Sequence, residues 1–168
     1  RMSKKLKSKK LKVILGNIQD QNLLEKIIKE NNVGHIFHAA AYKHVKFLEN
    51  NIYAAIKNNI IGTQTILETI KRKKIHFTFI STDKAVEPKT VLGVTKRIGE
   101  LLVHSASNNN DYQKSKFTIV RFGNVIGSDG SALPYFINQI KKDQTISVTD
   151  KKMQRYFMTI KEACELVL

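Results

Sequence analysis

The sequence predicts an α/β fold, a doubly wound parallel sheet with helices on both faces, on three observations. Short apolar runs alternate along the chain with stretches whose apolar residues recur at helical spacing. Four of these runs lead into Asn, Ala, Thr or Gly, residues that satisfy the turn at a strand end. The 168 residues are 42% hydrophobic and 26% charged, enough to bury one core. Repeated strand–helix alternation is the pattern of parallel strands joined by covering helices.

Leu11 to Leu15 reads as a buried strand, with Gly16-Asn17 as the turn at its end. Asp20 caps a helix whose Leu23, Leu24, Ile27 and Ile28 share one face, and Gly34 ends it. His35 to His38 is a second short strand running into Ala39-Ala40-Ala41. From Ile52 to Lys73 the spacing of Ile56, Ile60, Thr63, Ile66, Leu67 and Ile70 is that of a long helix. Phe77 to Ser81 is a third strand, and Pro88 ends regular structure in the loop after it. Thr90 caps the next helix, with Leu92, Ile98, Leu101 and Leu102 on its apolar side and Asn108 to Asp111 closing it. Phe117 to Phe122 is a fourth strand, Leu133 to Ile140 a helix and Ile146 to Val148 a short strand. No internal repeat or linker divides the chain.

The formal charge of +15 raises the question of nucleic acid. Seven of the first twelve residues are Lys or Arg, but no aromatic residue is interleaved to stack on bases, so no nucleic-acid partner is expected. A positive field would favour an anionic ligand without identifying it. Cys164 is the single cysteine, which excludes an internal disulfide and a cysteine-rich metal site and suits a cytoplasmic location. No apolar run approaches the roughly 18 residues of a membrane span, and the basic N-terminus lacks the apolar stretch of a signal peptide.

In open sheets of this kind ligands sit beyond the carboxyl ends of the strands. Asn17, Ala39 to Ala41, Thr82-Asp83-Lys84 and Gly123-Asn124 each follow a predicted strand, so they line one edge. Any one of these segments is ordinary turn chemistry; the four together point to a site. Thr82-Asp83-Lys84 places a hydroxyl, a carboxylate and an amine side by side, with a second amine, Lys96, on the next helix. Adjacent strand residues cannot all face one way, so a turn must begin near Thr82.

Phe37-His38-Ala39-Ala40-Ala41-Tyr42-Lys43-His44-Val45, Ser81-Thr82-Asp83-Lys84-Ala85-Val86, Gly93-Val94-Thr95-Lys96-Arg97, Arg121 to Ser128 and Arg155 to Ile160 resemble the CapD-type polysaccharide-biosynthesis proteins. These are UDP-N-acetylglucosamine 4,6-dehydratases of the extended short-chain dehydrogenase/reductase superfamily. The resemblance spans nearly the whole chain in order and implies a Rossmann-like fold, NAD or NADP as cofactor and a UDP-sugar substrate. It also implies a homo-oligomer in the complete protein, which is cytoplasmic or attached to the inner membrane.

The implied reaction is a redox-neutral lyase step. Hydride leaves carbon 4 for NAD(P)+, the ketone acidifies carbon 5, water leaves from carbon 6, and the hydride returns to carbon 6. By resemblance Thr82 would hydrogen-bond the hydroxyl that becomes the ketone, Asp83 would protonate the leaving hydroxyl, and Lys84 would be the base at carbon 5. Asp83 must then be protonated, which burial would favour, and Lys84 must lose its proton, helped by desolvation and by Lys96. Leu92 stands where many relatives carry tyrosine, so the base for carbon 4 is Thr82 assisted by Lys96, or a water. Lys96 would hold the nicotinamide ribose. Asn17, Ile18, Ala39, Ala40, Lys43 and Asn59 would border the cofactor, and Asn124 and Arg155 the UDP-sugar. No metal site is expected.

The family begins with a strand, a Gly-x-x-Gly-x-x-Gly turn and a helix that hold the cofactor pyrophosphate. None of the eight glycines forms that element, and Arg1 to Leu6 resembles the end of a later helix. The expectation is therefore an incomplete Rossmann-like doubly wound sheet, a single partial domain over 1–168 whose substrate region starts near 123–168. In the strand order 3-2-1-4-5-6, His35 to His38 is then an exposed edge, and the chain alone has marginal stability and little cofactor affinity. The alternative to an enzyme is a non-enzymatic remnant or binding module with the same fold.

Overall fold

A computed structural model describes residues 11–128, 132–148, 150 and 152–168. The expected helix end at Arg1 to Leu6 lies outside them. Three strands, β1 (His35–His38), β2 (His76–Thr82) and β3 (Lys116–Phe122), form a parallel sheet in the order β1-β2-β3. The register pairs His35 with His76 at one end and Ser81 with Arg121 and Thr82 with Phe122 at the other. A second, two-stranded parallel sheet joins β4 (Asn124–Val125) to β5 (Phe157–Met158).

Helix α1 (Gln21–Glu30) begins at Asp20, whose carboxylate accepts from the Leu23 amide at 3.0 Å, and buries Ile28. It ends at Asn31, with Asn32 in the left-handed region at φ 47°, so Gly34 is not the stop that the sequence suggested. A short helix, α2 (Val45–Glu49), was not anticipated. The long helix expected from Ile52 is three segments: α3 (Ile52–Ala55), a π-helical turn (Ile56–Ile61) and α4 (Gly62–Ile70). The widened turn carries the buried side chain of Asn59. Helix α5 (Val91–Ser107) starts where Thr90 accepts from the Gly93 amide at 3.2 Å. Helices α6 (Ala132–Lys141) and α7 (Ile160–Val167) follow, the latter held by a capping box between Thr159 and Glu162.

One core joins Phe77 and Phe79 of β2 to Ile66, Leu67 and Ile70 of α4, Val103 and Ala106 of α5, and Ile28 of α1. Burying each aromatic side chain contributes roughly 1.5–3 kcal/mol. A smaller cluster joins Leu48, Ala55 and Leu92, so Leu92 is a packing residue tying α5 to α2 and α3.

Three expectations are corrected. Leu11 to Leu15 is not a strand: among the described residues it has no strand paired with it, and Leu15 is wholly exposed. Ile146 to Val148 is also irregular, and the strand that does form is β5, ten residues further on. The buried face of α5 runs through Leu92, Lys96, Gly99, Glu100 and Val103, whereas Leu101 is 53% exposed. Two of these positions are charged, which apolar spacing could not select. As expected, β1 is an edge strand, and its Phe37 is exposed.

Candidate active site

β2 ends at Thr82 and turns at once into a 3-10 segment, Asp83–Ala85, because the Thr82 hydroxyl accepts from the Lys84 amide. The turn gathers side chains that a strand would separate. Thr82 Oγ1 donates to Asp83 Oδ1 at 2.9 Å, and Lys84 Nζ donates to the same oxygen at 2.9 Å. Lys84 Nζ also reaches Asn124 Oδ1 at 3.3 Å, bridging the ends of β2 and β3. Thr82, Asp83, Lys84 and Asn124 thus form one hydrogen-bonded chain. Two glycines permit it. A Cβ on Gly93 would stand 2.4 Å from the Lys84 carbonyl oxygen, and one on Gly123 would stand 2.7 Å from that of Tyr156.

Burial pushes the Asp83 carboxyl up, but the hydrogen bonds from Lys84 and Thr82 outweigh it and hold the group below its ordinary value. Burial favours a protonated Asp83, as expected, but with both side chains only about 30% exposed the net shift is downward and the resting arrangement is the Asp83–Lys84 ion pair.

Lys96 lies under this edge and is turned inward. Its Nζ donates to the Ile80 carbonyl at 2.6 Å and sits 4.4 Å from the centre of the Phe79 ring. Desolvation lowers it to about 8, against the opposing pull of Glu100. His38 is buried beside it, pushed down to about 3 by desolvation and by the Lys96 charge, with Nε2 2.9 Å from Thr63 Oγ1. His38 is neutral at pH 7.

Asn59 grips the loop after β1 in both directions: its Oδ1 accepts from the Tyr42 amide at 2.8 Å, and its Nδ2 donates to the Tyr42 carbonyl at 3.1 Å. It also donates to Thr95 next to Lys96. Ala39, Ala40 and Lys43 on that loop are exposed, and a concavity of about 510 Å³ opens between Ala41 to His44 and residues Phe47, Leu48 and Asn51. Asn17 is spent on its own turn, accepting from the Gln19 amide, and Ile18 packs against Gly62 and the core. Arg155 is exposed and bonded to the Gln154 carbonyl; it precedes Tyr156, whose carbonyl accepts from the Asn124 amide at 2.8 Å.

Sequence reasoning missed one cluster. Glu100, its side chain 4% exposed, accepts from Ser81, Arg97 and Arg121. Desolvation opposes its charge, but Arg121, Ser81 and Arg97 hold it down to about 2. The i to i+3 spacing of Arg97 and Glu100 was the visible signal, yet it reads as a surface pair. Among the described residues no group of three His, Cys, Asp or Glu could hold a metal, and no helix is long and apolar enough to cross a membrane.

The model of a family described as polysaccharide biosynthesis protein matches residues 1–168. The chain belongs to that family. A polysaccharide biosynthesis relative, the capsular polysaccharide biosynthesis protein CapD of Staphylococcus aureus, is 45% identical over 92% of this chain and 26% of its own length. The X-ray structure of Pen from Bacillus thuringiensis is 36% identical with a TM-score of 0.91, covering 99% of this chain and 51% of that one. The UDP-glucuronic acid 4-epimerase of Bacillus cereus, solved with UDP-glucuronic acid and NAD, is 25% identical with a TM-score of 0.84, covering 96% and 55%. The fold is thus Rossmann-like. The chain spans between a quarter and half of the length of the curated relatives it matches.

Proposed function

We propose that the chain carries the acid–base residues of a nucleotide-sugar 4,6-dehydratase that acts on UDP-N-acetylglucosamine in polysaccharide biosynthesis, the activity belonging to the whole protein. The observation that carries this reading is the Asp83–Lys84 pair at the end of β2, joined to Thr82 and Asn124. Removing water across carbons 5 and 6 requires a base at one carbon and an acid at the other. A neutral carboxylic acid and a neutral amine hold as many protons as a carboxylate and an ammonium. One proton moving along the 2.9 Å bond therefore converts the resting pair into the working pair. A sugar that displaces water disfavours the charged form and drives that transfer.

Lys84 then takes the carbon 5 proton while Asp83 gives its own to the carbon 6 hydroxyl. The carbon 6 to oxygen bond breaks as the double bond forms, and water leaves. As hydride leaves carbon 4 its hydroxyl proton passes through Thr82 or a water to solvent, and Thr82 then hydrogen-bonds the ketone oxygen. The Lys84 ammonium returns a proton to carbon 5 when hydride returns to carbon 6, with Asn124 holding Lys84 in place. Arg155, a fork of donors on the exposed edge, suits the diphosphate of the UDP-sugar.

The described residues fit one end of NAD(P). Exposed Ala39 and Ala40 leave room for a flat ring at the end of β1. Three helix N-termini, each a place where a pyrophosphate could be cradled, are closed by carboxylates: Asp20 on the Leu23 amide, Glu49 on the Val91 amide and Glu162 on the Thr159 amide. When bound, the cofactor supplies removal of hydride from carbon 4 and its return to carbon 6.

The likeness to a 4-epimerase favours a second reading, but epimerisation at carbon 4 needs neither a base at carbon 5 nor an acid at carbon 6, so the Asp83–Lys84 pair speaks for dehydration. NMR of UDP-N-acetylglucosamine incubated with the whole protein and NAD(P) decides. A methyl group at carbon 6 beside a ketone supports the proposal. A carbon 4 epimer overturns it in favour of the epimerase, and unchanged sugar in favour of a non-enzymatic module.

A further inference from the structure

We infer that Glu100 is a positioning residue: its buried carboxylate clamps the ends of β2 and β3 so that Lys84 and Asn124 meet. Glu100 Oε1 accepts from Ser81 Oγ at 2.6 Å and Arg121 Nε at 2.8 Å. Oε2 accepts from Arg121 Nη2 at 2.7 Å and Arg97 Nη1 at 3.0 Å. Both oxygens are saturated, and the Arg121 contact is bidentate, the strongest form of this pairing.

The geometry falls where the sheet stops. Ser81 and Arg121 are partners across β2 and β3, and only the Thr82–Phe122 rung lies beyond them. Past that rung the two strands part, one into the Asp83–Ala85 turn and the other towards Asn124, and the Lys84–Asn124 bond rejoins them. Glu100 therefore fixes the last joint before the reactive segment. It projects from the helix that carries Gly93, seven residues or about two turns earlier, against the Lys84 carbonyl. One rigid helix thus meets the reactive segment at two points.

Stability alone gives little reason for this arrangement. Apolar residues of similar volume commonly match or exceed a buried ion pair in stability, whereas a bidentate pair fixes distance and direction. Arg97 makes a single contact from Glu100's own helix and, 44% exposed, remains solvated without it, whereas Arg121 reaches both oxygens from β3, so the clamp proper is Ser81, Glu100 and Arg121.

The test uses the 168-residue chain and reads contact rather than turnover. Lys84→Met is made in the wild-type background and in the triple variant Ser81→Ala/Glu100→Leu/Arg121→Met, which leaves no orphaned partner. The response of the Asn124 side-chain amide is followed by NMR. Glu100→Gln, which keeps shape and one acceptor oxygen, is read in the same way, so the result does not hang on the triple variant folding. The expected result is a clear shift of the Asn124 amide on Lys84→Met in the wild type, reduced by half or more in both altered backgrounds. A full response in either folded background overturns the clamp.

Its effect on turnover rests on the dehydratase reading. In the whole protein the altered backgrounds should lower kcat about ten- to a hundredfold at unchanged KM for the UDP-sugar, the scale of a slightly misplaced reacting group. A lost NMR response with unchanged kcat keeps the clamp and sinks the catalytic reading of Lys84. A retained response sinks the clamp whatever the turnover.

Discussion

Replacing Gly93 by alanine tests whether α5 is pressed against the reactive turn. The new Cβ would stand 2.4 Å from the Lys84 carbonyl oxygen and 3.3 Å from the Pro88 Cα, both backbone atoms that cannot rotate away. Overpacking of this kind costs about 1–3 kcal/mol, while alanine for glycine within a helix returns about 1 kcal/mol. The 2.4 Å overlap with fixed backbone puts the cost at the upper end, so the net expectation is a loss of about 1–2 kcal/mol, with the turn displaced from Asn124. Gly34→Ala is the control. Nothing lies within 4 Å of its added Cβ, and its φ is not in the left-handed region, so it should be neutral or gain about 0.4–1 kcal/mol through the unfolded chain. Urea unfolding of both variants, with m of roughly 2 kcal/mol per molar, should separate their midpoints by about half to one and a half molar. If Gly93→Ala is as stable as Gly34→Ala, the close approach of α5 to Lys84 is wrong.

Glu100 is held at about 2 when folded, below its unfolded value, so its stabilisation is present above about pH 4.5 and is lost as the pH falls towards 2. That amounts to roughly 3 kcal/mol, and Glu100→Gln should flatten the acid limb of the stability profile measured by urea midpoints; an unchanged slope contradicts the buried ion pair. His38 is also depressed, to about 3, so the unfolded chain binds the extra proton first and stability falls as the pH drops below about 6.5. The loss should reach about 2 kcal/mol by pH 5, with the His38 imidazole still neutral by 15N NMR; a protonated ring in the folded chain at pH 5 would show the burial to be wrong. Phe37→Lys, on the exposed face of edge strand β1, should reduce self-association in sedimentation without lowering the thermal midpoint; unaltered association means that the edge is not the sticking surface.

The fold was legible where local chemistry and tertiary context agree. Asp20 and Thr90 read as caps and are caps, and the β1, β2 and β3 runs read as strands because each is an apolar run ending in turn residues. Leu11 to Leu15 has the same composition, but a strand exists only with a neighbour to complete its hydrogen bonds, which composition does not reveal. The turn at Thr82 followed from the geometry of adjacent residues, and it brought Thr82, Asp83, Lys84 and Asn124 together. Lys96 and Glu100 were harder to read. Charged residues on a helix are ordinarily solvated, and only the three-dimensional arrangement shows Lys96 turned to the Ile80 carbonyl and Glu100 to Ser81 and Arg121. Likewise, no spacing rule marks Asn59, since its inward aim depends on the π-helical turn.

In the proposed reaction Lys84 removes the carbon 5 proton while Asp83 protonates the departing hydroxyl. The most direct measurement is solvent deuterium at carbon 5 of the product formed from UDP-N-acetylglucosamine by the whole protein in heavy water, read by mass spectrometry and NMR for wild type, Asp83→Asn and Lys84→Ala. The wild type should lose water and carry deuterium at carbon 5, and both variants should lose at least about a hundredfold in rate, the scale of removing a general acid or base. Undiminished water loss with full deuterium incorporation in Lys84→Ala would contradict the account.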